Sequence, residues 1–472
     1  MTDDHAYQTV GAYGHPISRL APTPNIDRLA REGMLFREAF VENSISAPSR
    51  ATLLTGVYSH RHGQTTLSYG IMDTTLVHFP ELLRAEGYRT AIFGKWHLSV
   101  EPKGFDHYDL LWDQGEYYNP VMRTPETGGR YVRQEGYATD IITDHALAWL
   151  DGHRDDDAPF CLMIHHKAPH RNWMADLKYL DLYEDVEFPE PETLFDDYAT
   201  RGDQMRQQQL TIDRHMGYAF DFKVEELKDE PTLQYIHDSW DIAMSTLTPE
   251  QRRVWDDSYG RKNRDFLADR PEGKELLRWK YQRYIHDYCR TIRSVDDQIG
   301  RVLDYLEESG LMDNTLIVYT SDQGFLLGEH GLYDKRFMYE ESFRTPLIMA
   351  WRGHIRPGTV CRELVQNIDY APTLLDAAGV AVPDGMDGVS LQPLFRSGKA
   401  RGWRTSLYYQ YYDYPAVGSV RAHYGIRTDR YKLIHWFGPG ADGDPDIDFW
   451  ELYDLRKDPC EVHNVYEERG YL

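Results

Sequence analysis

Ser46-Ala47-Pro48-Ser49-Arg50-Ala51-Thr52-Leu53-Leu54-Thr55-Gly56 is the stretch on which the reading of this chain turns. Ser46 offers a small hydroxyl at a turn. A proline follows two positions on, then serine, arginine and a short apolar run closed by glycine. The pattern reads as a loop entering a helix, with Ser49 as the cap and Arg50 in the first turn. A helix start carries unpaired N–H groups and partial positive charge. Ser46 and Arg50 therefore suit an anionic tetrahedral group such as sulfate or phosphate. Plain capping accounts for the motif equally well when it stands alone.

Outward from this motif, strand-like and helix-like stretches alternate. Residues 23–30 and 78–86 read as capped helices, the second closed by Gly87. Residues 88–93 read as a strand, 140–151 as a helix and 160–165 as a buried strand. Residues 277–309 form the longest amphipathic pattern, with Tyr281, Tyr284, Ile285, Tyr288 and Ile292 at three- and four-residue steps. Strands are expected at 315–320 and 347–351, and a helix at 369–378. This alternation predicts an α/β fold, a large, mostly parallel sheet sandwiched by helices. Residues 177–273 are polar, acidic and proline-dotted, and read as a partly helical insertion, either a lid or a solvated excursion. Tyrosine-rich stretches at 406–412, 424–427 and 431–436 predict a small antiparallel C-terminal subdomain over 399–472. Residues 1–398 are left as the α/β domain.

Composition narrows the function. The 472 residues carry a net charge of −24, which argues against a nucleic-acid partner. Hydrophobic content of 41% and aromatic content of 13% indicate an ordered core large enough for two or three domains. Four scattered cysteines form no CxxC pair, so neither a zinc site nor a disulfide framework is expected. No run of about twenty apolar residues predicts a membrane span.

Polar clusters follow several of the expected strands. Asp322 and Gln323 come after 315–320, and Asp3 and Asp4 stand at the very start of the chain. Three carboxylates and an amide oxygen make a hard oxygen cage, which favours Ca²⁺ ahead of Mg²⁺ over zinc. Each pair read singly is an ordinary turn. Gly94-Lys95-Trp96-His97 follows 88–93, where Lys95 can stabilise anionic oxygen and His97 can move a proton. His165 to Trp173 holds three histidines within one turn and no cysteine, a poor zinc set. Gly328 to Arg336 follows Asp322-Gln323. Within it Glu329, His330 and Arg336 read as supporting residues. His423 and Arg427, in the C-terminal subdomain, are candidates for sugar contact.

Taken in order, these blocks resemble the type I, formylglycine-dependent sulfatases of the alkaline phosphatase superfamily, over roughly residues 3–458. The resemblance implies that Ser46 is converted to formylglycine, hydrated to a diol that attacks sulfur. It implies a metal held by Asp3, Asp4, Ser46, Asp322 and Gln323, the last standing where many members have Asn. It implies that Arg50, Lys95 and Lys335 neutralise the sulfate oxygens, that His170 protonates the leaving oxygen and that His97 assists elimination. The expected partners are a sulfated monosaccharide or oligosaccharide and a sulfatase-maturing enzyme acting on serine. A cysteine replaced by Ser46 would leave the same sequence. The look is closest to bacterial glycan sulfatases of the N-acetylglucosamine-6-sulfatase and mucin-desulfating type. Alternatives are a phosphate or phosphonate ester hydrolase of the superfamily, or a silent glycan-binding form with unmodified Ser46. The family's strand ahead of the Asp3-Asp4 pair is not seen. An upstream segment would imply a periplasmic or secreted protein, and its absence a cytoplasmic one.

Overall fold

The computed structural model describes residues 1–154, 156–233, 235–440 and 443–471; for Tyr235 and His237 only the backbone is described. Its centre is a sheet in which strands Arg89–Gly94, His107–Leu111 and Phe160–His165 pair in parallel. A second group pairs Ile317–Thr320 with Leu347–Ala350, that strand with Met34–Phe36, and Met34–Phe36 in parallel with Thr359–Cys361. Met1 and Thr2 join the two groups. The Met1 ammonium donates to the Ile164 carbonyl at 2.7 Å, and the His166 amide donates to the Met1 carbonyl at 2.9 Å. Thr2 bridges Ser321 in parallel. Among the described residues of this central sheet, only Leu347–Ala350 and the outlying Val121–Arg123 run against the common direction.

Side-chain alternation builds a layer on each face. Leu35, Tyr319 and Ile348 point into one cluster with Ile26, Leu29, Leu303 and Leu306. These last four belong to helices Pro24–Glu32 and Gly273–Glu308. Met34, Phe36, Leu347 and Met349 point the other way, onto Leu53, Leu54, Leu83 and Leu375. Those come from helices Ser46–Thr55, Phe79–Ala85 and Tyr370–Ala377.

The C-terminal sheet is antiparallel in the order Ser406–Tyr411, His423–Thr428, Tyr431–Gly438, Ile447–Asp454. Sequence reading missed its fourth strand, whose alternation is blurred by Asp448, Glu451 and Asp454. Tyr409, Tyr411, Ile434, Trp436 and Tyr453 bury one face in the apolar cluster that also holds Phe337, Met338 and Phe343.

Residues 177–273 are not a solvated excursion. Phe188, Leu194, Met205, Leu210, Phe222 and Phe266 all lie in that same cluster, at most 5% exposed. The stretch is partly helical, and among the described residues its longest helix is Pro249–Ala268. There Thr248 and Gln251 form a reciprocal capping box. Among the described residues, no helix is long and apolar enough to cross a membrane.

Candidate active site

Because most strands share a direction, their carboxyl ends meet along one edge, the place where open α/β sheets bind ligands. Lys95 follows Gly94, the last residue of its strand, and Asp322 and Gln323 follow Thr320. His165 ends its strand, and Asp3 follows Thr2. Close backbone approach fixes two of these turns. A Cβ on Gly94, at φ +98°, would meet the His165 carbonyl oxygen at 2.0 Å. One on Gly324 would meet the Glu341 and Arg344 carbonyl oxygens at 2.2 Å. Only glycine fits either place.

Helix Ser46–Thr55 starts one turn earlier than the sequence reading placed it. Ile45 is the N-cap and Ser46 is the first helical residue. Ser49 is therefore no cap. Its hydroxyl instead donates to the Asp322 carbonyl and accepts from Asn367 Nδ2 at 2.9 Å, tying the helix to the metal-candidate turn.

Ser46 Oγ donates to Asp3 Oδ1 at 3.2 Å. The Asp4 amide donates to Asp322 Oδ1 at 3.1 Å, and Gln323 Nε2 donates to Asp4 Oδ1. Asp3, Asp4, Ser46, Asp322 and Gln323 are thus one buried group, at most 2% exposed. Cations interleave with it. Arg50 Nε and a terminal nitrogen donate to Asp322 Oδ2 at 3.1 and 3.0 Å. Lys95 Nζ donates to Asp3, and Lys335 Nζ reaches both Asp4 oxygens at 2.7 Å. Burial alone would raise the Asp3 carboxyl, but Lys95, His170, Arg50 and Lys335 hold it well below the usual carboxylate range. Asp4 is pushed up to about 7, by burial first, against the pull of Lys335 and with help from Asp3 and Asp322.

Two histidines flank the cluster. Lys95 Nζ donates to Gln114 Oε1 at 2.6 Å, which turns the Gln114 amide nitrogen toward His97 Nε2 at 2.8 Å. Gln114 carries no sequence signal, since it lies 19 residues from Lys95 on a separate loop. His170 Nδ1 lies 2.7 Å from the Arg171 carbonyl. A carbonyl cannot donate, so Nδ1 carries the proton and Nε2 faces Asp4 Oδ2 at 3.7 Å. Burial depresses both imidazoles well below their ordinary range. Lys95 and Arg50 add to this at His97. At His170 Asp3 opposes it, while Lys95 and Lys335 reinforce it.

Backbone strain gathers here. Asp4, His97, Trp173, Asp334 and Arg336 all have positive φ, between 53° and 90°. Arg336, read from sequence as a supporting residue, is 4% exposed. Its terminal nitrogen donates to Tyr411 OH at 3.3 Å, and its Nε has no hydrogen-bond partner, with Asp334 Oδ1 at 3.6 Å.

His423 and Arg427 are not brought to this site. His423 is fully buried, its Nδ1 on the Arg421 carbonyl and its ring against Trp436 with centroids 4.0 Å apart. The Arg427 guanidinium pairs with Glu38 at 2.7 Å and Glu340 at 3.2 Å. Both point to the inner face of the C-terminal sheet, where a sugar has no access.

The donor set fits a hard divalent cation. Three carboxylates converge, and Gln323 Oε1 is buried without a partner. A half-turn of that amide would aim its oxygen where its nitrogen now points. Asp3, Asp4 and His170 also offer ligand atoms within 4.8 Å of one another.

The Ser46 hydroxyl at a helix start stands against buried carboxylates, among two lysines and an arginine. The sulfatase family model matches residues 1–380, and a model for the C-terminal part of N-sulphoglucosamine sulphohydrolase matches 328–472. The chain belongs to the sulfatase family. It is 44% identical over 480 residues to an N-acetylglucosamine-6-O-sulfatase of Bacteroides thetaiotaomicron, spanning all of this chain and 82% of that protein. It is 28% identical to the multifunctional alkaline phosphatase superfamily protein PehA of Trinickia caryophylli, over 95% of this chain and 86% of that one. A solved structure of a protein in complex with its substrate, D-glucosamine-2-N,6-O-disulfate, superposes with a TM-score of 0.91 at 43% identity. It covers all of this chain and 93% of the other. A phosphonate monoester hydrolase from Silicibacter pomeroyi shares the fold with a TM-score of 0.69 at 20% identity, covering all of this chain and 91% of that one.

Proposed function

We propose that this sulfatase removes the 6-O-sulfate from N-acetylglucosamine or a closely related glucosamine, with Ser46 matured to formylglycine and Ca²⁺ in the carboxylate cage. The observation that carries the reading is Ser46 at a helix start, hydrogen-bonded to Asp3 and ringed by Arg50, Lys95 and Lys335. The 44% identity to an N-acetylglucosamine-6-O-sulfatase supports the sugar. Formylglycine and the metal together would supply a hydroxyl nucleophile at neutral pH and polarise the sulfate. Asp3, Asp4, Asp322 and Gln323 would hold the metal.

The remaining chemistry belongs to the chain. Arg50, Lys95 and Lys335 balance Asp3, Asp4 and Asp322 in the structure. A cation taken up by the carboxylates frees their donors for the sulfate oxygens, where charge grows in the transition state. His170 faces inward through Nε2 and hands a proton to the sugar oxygen as it leaves. An incoming anionic sulfate favours the imidazolium this requires. His97, aligned by Gln114, serves the proton movement that expels sulfate. Arg336, held by Tyr411 and with Nε unpartnered, is positioned to hydrogen-bond sugar hydroxyls.

The test is the mass of the Ser46 peptide after co-expression with a serine-type maturase, followed by turnover assays. Loss of two hydrogens at residue 46, with sulfate released from 6-O-sulfated N-acetylglucosamine faster than phosphate from aryl phosphates, supports the proposal. Faster phosphate release would favour the phosphoester reading. An unmodified serine with tight sugar binding and no turnover would favour the silent one.

A further inference from the structure

The turn formed by residues 217–224, inside the 177–273 stretch, grips the segment that carries His170. Fully buried Asp221 takes the Arg171 guanidinium in a two-point pair. Nε donates to Oδ1 at 2.7 Å and a terminal nitrogen to Oδ2 at 2.6 Å. Lys223 Nζ donates to the Asn172 carbonyl and lies 5.7 Å from the Trp173 ring centroid. The turn is stiffened from within, because the Gly217 amide donates to Asp221 Oδ2 at 2.7 Å and the Lys223 amide to the Ala219 carbonyl at 3.0 Å. It is also anchored from outside. Arg283, on the long helix, donates to the Phe222 carbonyl at 3.0 Å, and Asn263 Nδ2 donates to the Lys223 carbonyl at 2.8 Å.

The grip matters because of what Arg171 does with its own backbone. Its carbonyl accepts the His170 Nδ1 proton, and that hydrogen bond sets both the tautomer and the ring rotation that aim Nε2 at the site. A guanidinium held at two points is rigid in a way a single contact is not. We propose that Asp221 is a positioning residue for proton transfer. Through Arg171 it keeps the carbonyl that orients His170 in place. The 177–273 stretch is then neither lid nor excursion at this point, but the support that holds the proton donor. The proposal rests on the reading of His170 as that donor.

Leaving-group dependence tests it. A sugar alkoxide needs a proton to depart, whereas a nitrophenolate does not. Asp221→Asn should lower kcat on 6-O-sulfated N-acetylglucosamine about 10- to 50-fold, part of the range for a positioned acid, and change kcat on 4-nitrophenyl sulfate by less than about 3-fold, with KM little moved on both. Arg171→Lys, which keeps the charge but not the fork, should show the same selectivity and serves if Asp221→Asn fails to fold. His170→Ala should be selective in the same sense and more severely, and adding Asp221→Asn to it should cost nothing further on the sugar. If His170→Ala is selective but Asp221→Asn and Arg171→Lys slow both substrates equally, or neither, the positioning role is wrong and the reading of His170 stands. If His170→Ala is itself unselective, both fall.

Discussion

Two clusters of buried charge sit a short way apart in this chain, and they are built to opposite ends. At the strand ends, Asp3, Asp4 and Asp322 interleave with Arg50, Lys95 and Lys335. Beneath the C-terminal sheet, Glu340 meets Arg427, Arg344 and Lys432, while Glu461 closes on Lys432 at 2.7 Å and Glu38 on Arg427 at 2.7 Å. The first is nearly free of solvent, whereas in the second Glu340, Lys432 and Glu461 are buried and Arg344 and Glu38 stand partly exposed at its rim. The first leaves Gln323 Oε1 unpartnered and places left-handed backbone at Asp4, Asp334 and Arg336. The second spends its charges on one another and on backbone groups, such as the Met338 carbonyl taken by Lys432 at 2.7 Å. Buried ion pairs do little by themselves to mark a functional site. Strain alone does not separate them, since Glu461 in the second cluster also has a positive φ of 53° and Arg344 Nε there is buried without a hydrogen-bond partner. What separates them is the helix-start hydroxyl of Ser46 set against the carboxylates of the first.

The largest expected effect falls on the first cluster. Ser46→Ala removes the proposed nucleophile and should lower kcat by about 10⁴-fold or more relative to the matured enzyme. Only one hydroxyl contact goes with it, so the melting temperature should stay within about 2 °C of the parent. Steady-state kinetics and calorimetry on the same preparation check both halves. A variant that retained turnover would end the distinction drawn between the clusters.

The second cluster should answer in stability and not in chemistry. Glu340→Gln removes the charge that Arg427, Arg344 and Lys432 share, leaving Arg427 to Glu38 and Lys432 to Glu461, and should cost about 3 kcal/mol of unfolding free energy, with kcat on the folded fraction nearly unchanged. Burial pulls the Glu340 carboxyl upward, but Arg427, Lys432 and Arg344 hold it well below its ordinary 4.5. A depressed carboxylate contributes stability above its unfolded value and loses it as the pH falls through its folded one. The gap between parent and Glu340→Gln should therefore be full at pH 7 and narrow below about pH 4.5 in urea titrations. A gap that widened in acid would mean the pairing is not the source.

A divalent cation separates the clusters more finely. Calcium at about 100 times its dissociation constant should stabilise the parent by about 2.7 kcal/mol. Gln323→Leu should shift the calcium dependence of the melting temperature to higher concentration, whereas Glu340→Gln should leave it in place. An unshifted Gln323→Leu curve would remove that amide from the ligand set.

The position of the candidate site was legible in the sequence wherever a motif directly follows a strand. Lys95, His165 and Asp322 sit at strand ends, and a shared strand direction carries them to one edge whatever lies between. Gln114 was not legible, because its place between Lys95 and His97 depends on a loop conformation with no residue signature. Arg427 was misread for the complementary reason. On a half-buried strand, alternation tells which residues share a face but not which face is inner, and the partner that settles it, Glu340, lies 87 residues away. The 177–273 stretch read equally as a lid or a solvated excursion because its apolar anchors are single residues among many charges. Phe188, Leu194, Met205, Leu210, Phe222 and Phe266 nonetheless reach the common core, and Trp240, Trp255 and Tyr259 a second apolar cluster.

Tyr411 is where the two regions touch, and it should give the smallest effect. It belongs to the C-terminal sheet, yet its hydroxyl accepts from Arg336 at 3.3 Å and donates to the Asp413 carbonyl at 3.0 Å. Tyr411→Phe keeps the ring packed and removes only that relay. Losing a hydrogen bond to a charged group at this length should cost about 1 kcal/mol. If Arg336 grips the sugar equally in ground and transition states, the loss appears as a rise in KM of about 5-fold with kcat unchanged. If Arg336 instead acts on the departing sulfate, kcat falls and KM holds. A loss of stability with neither constant altered would assign Tyr411 and Arg336 to the structural cluster, and move the boundary between the two regions by one residue's reach.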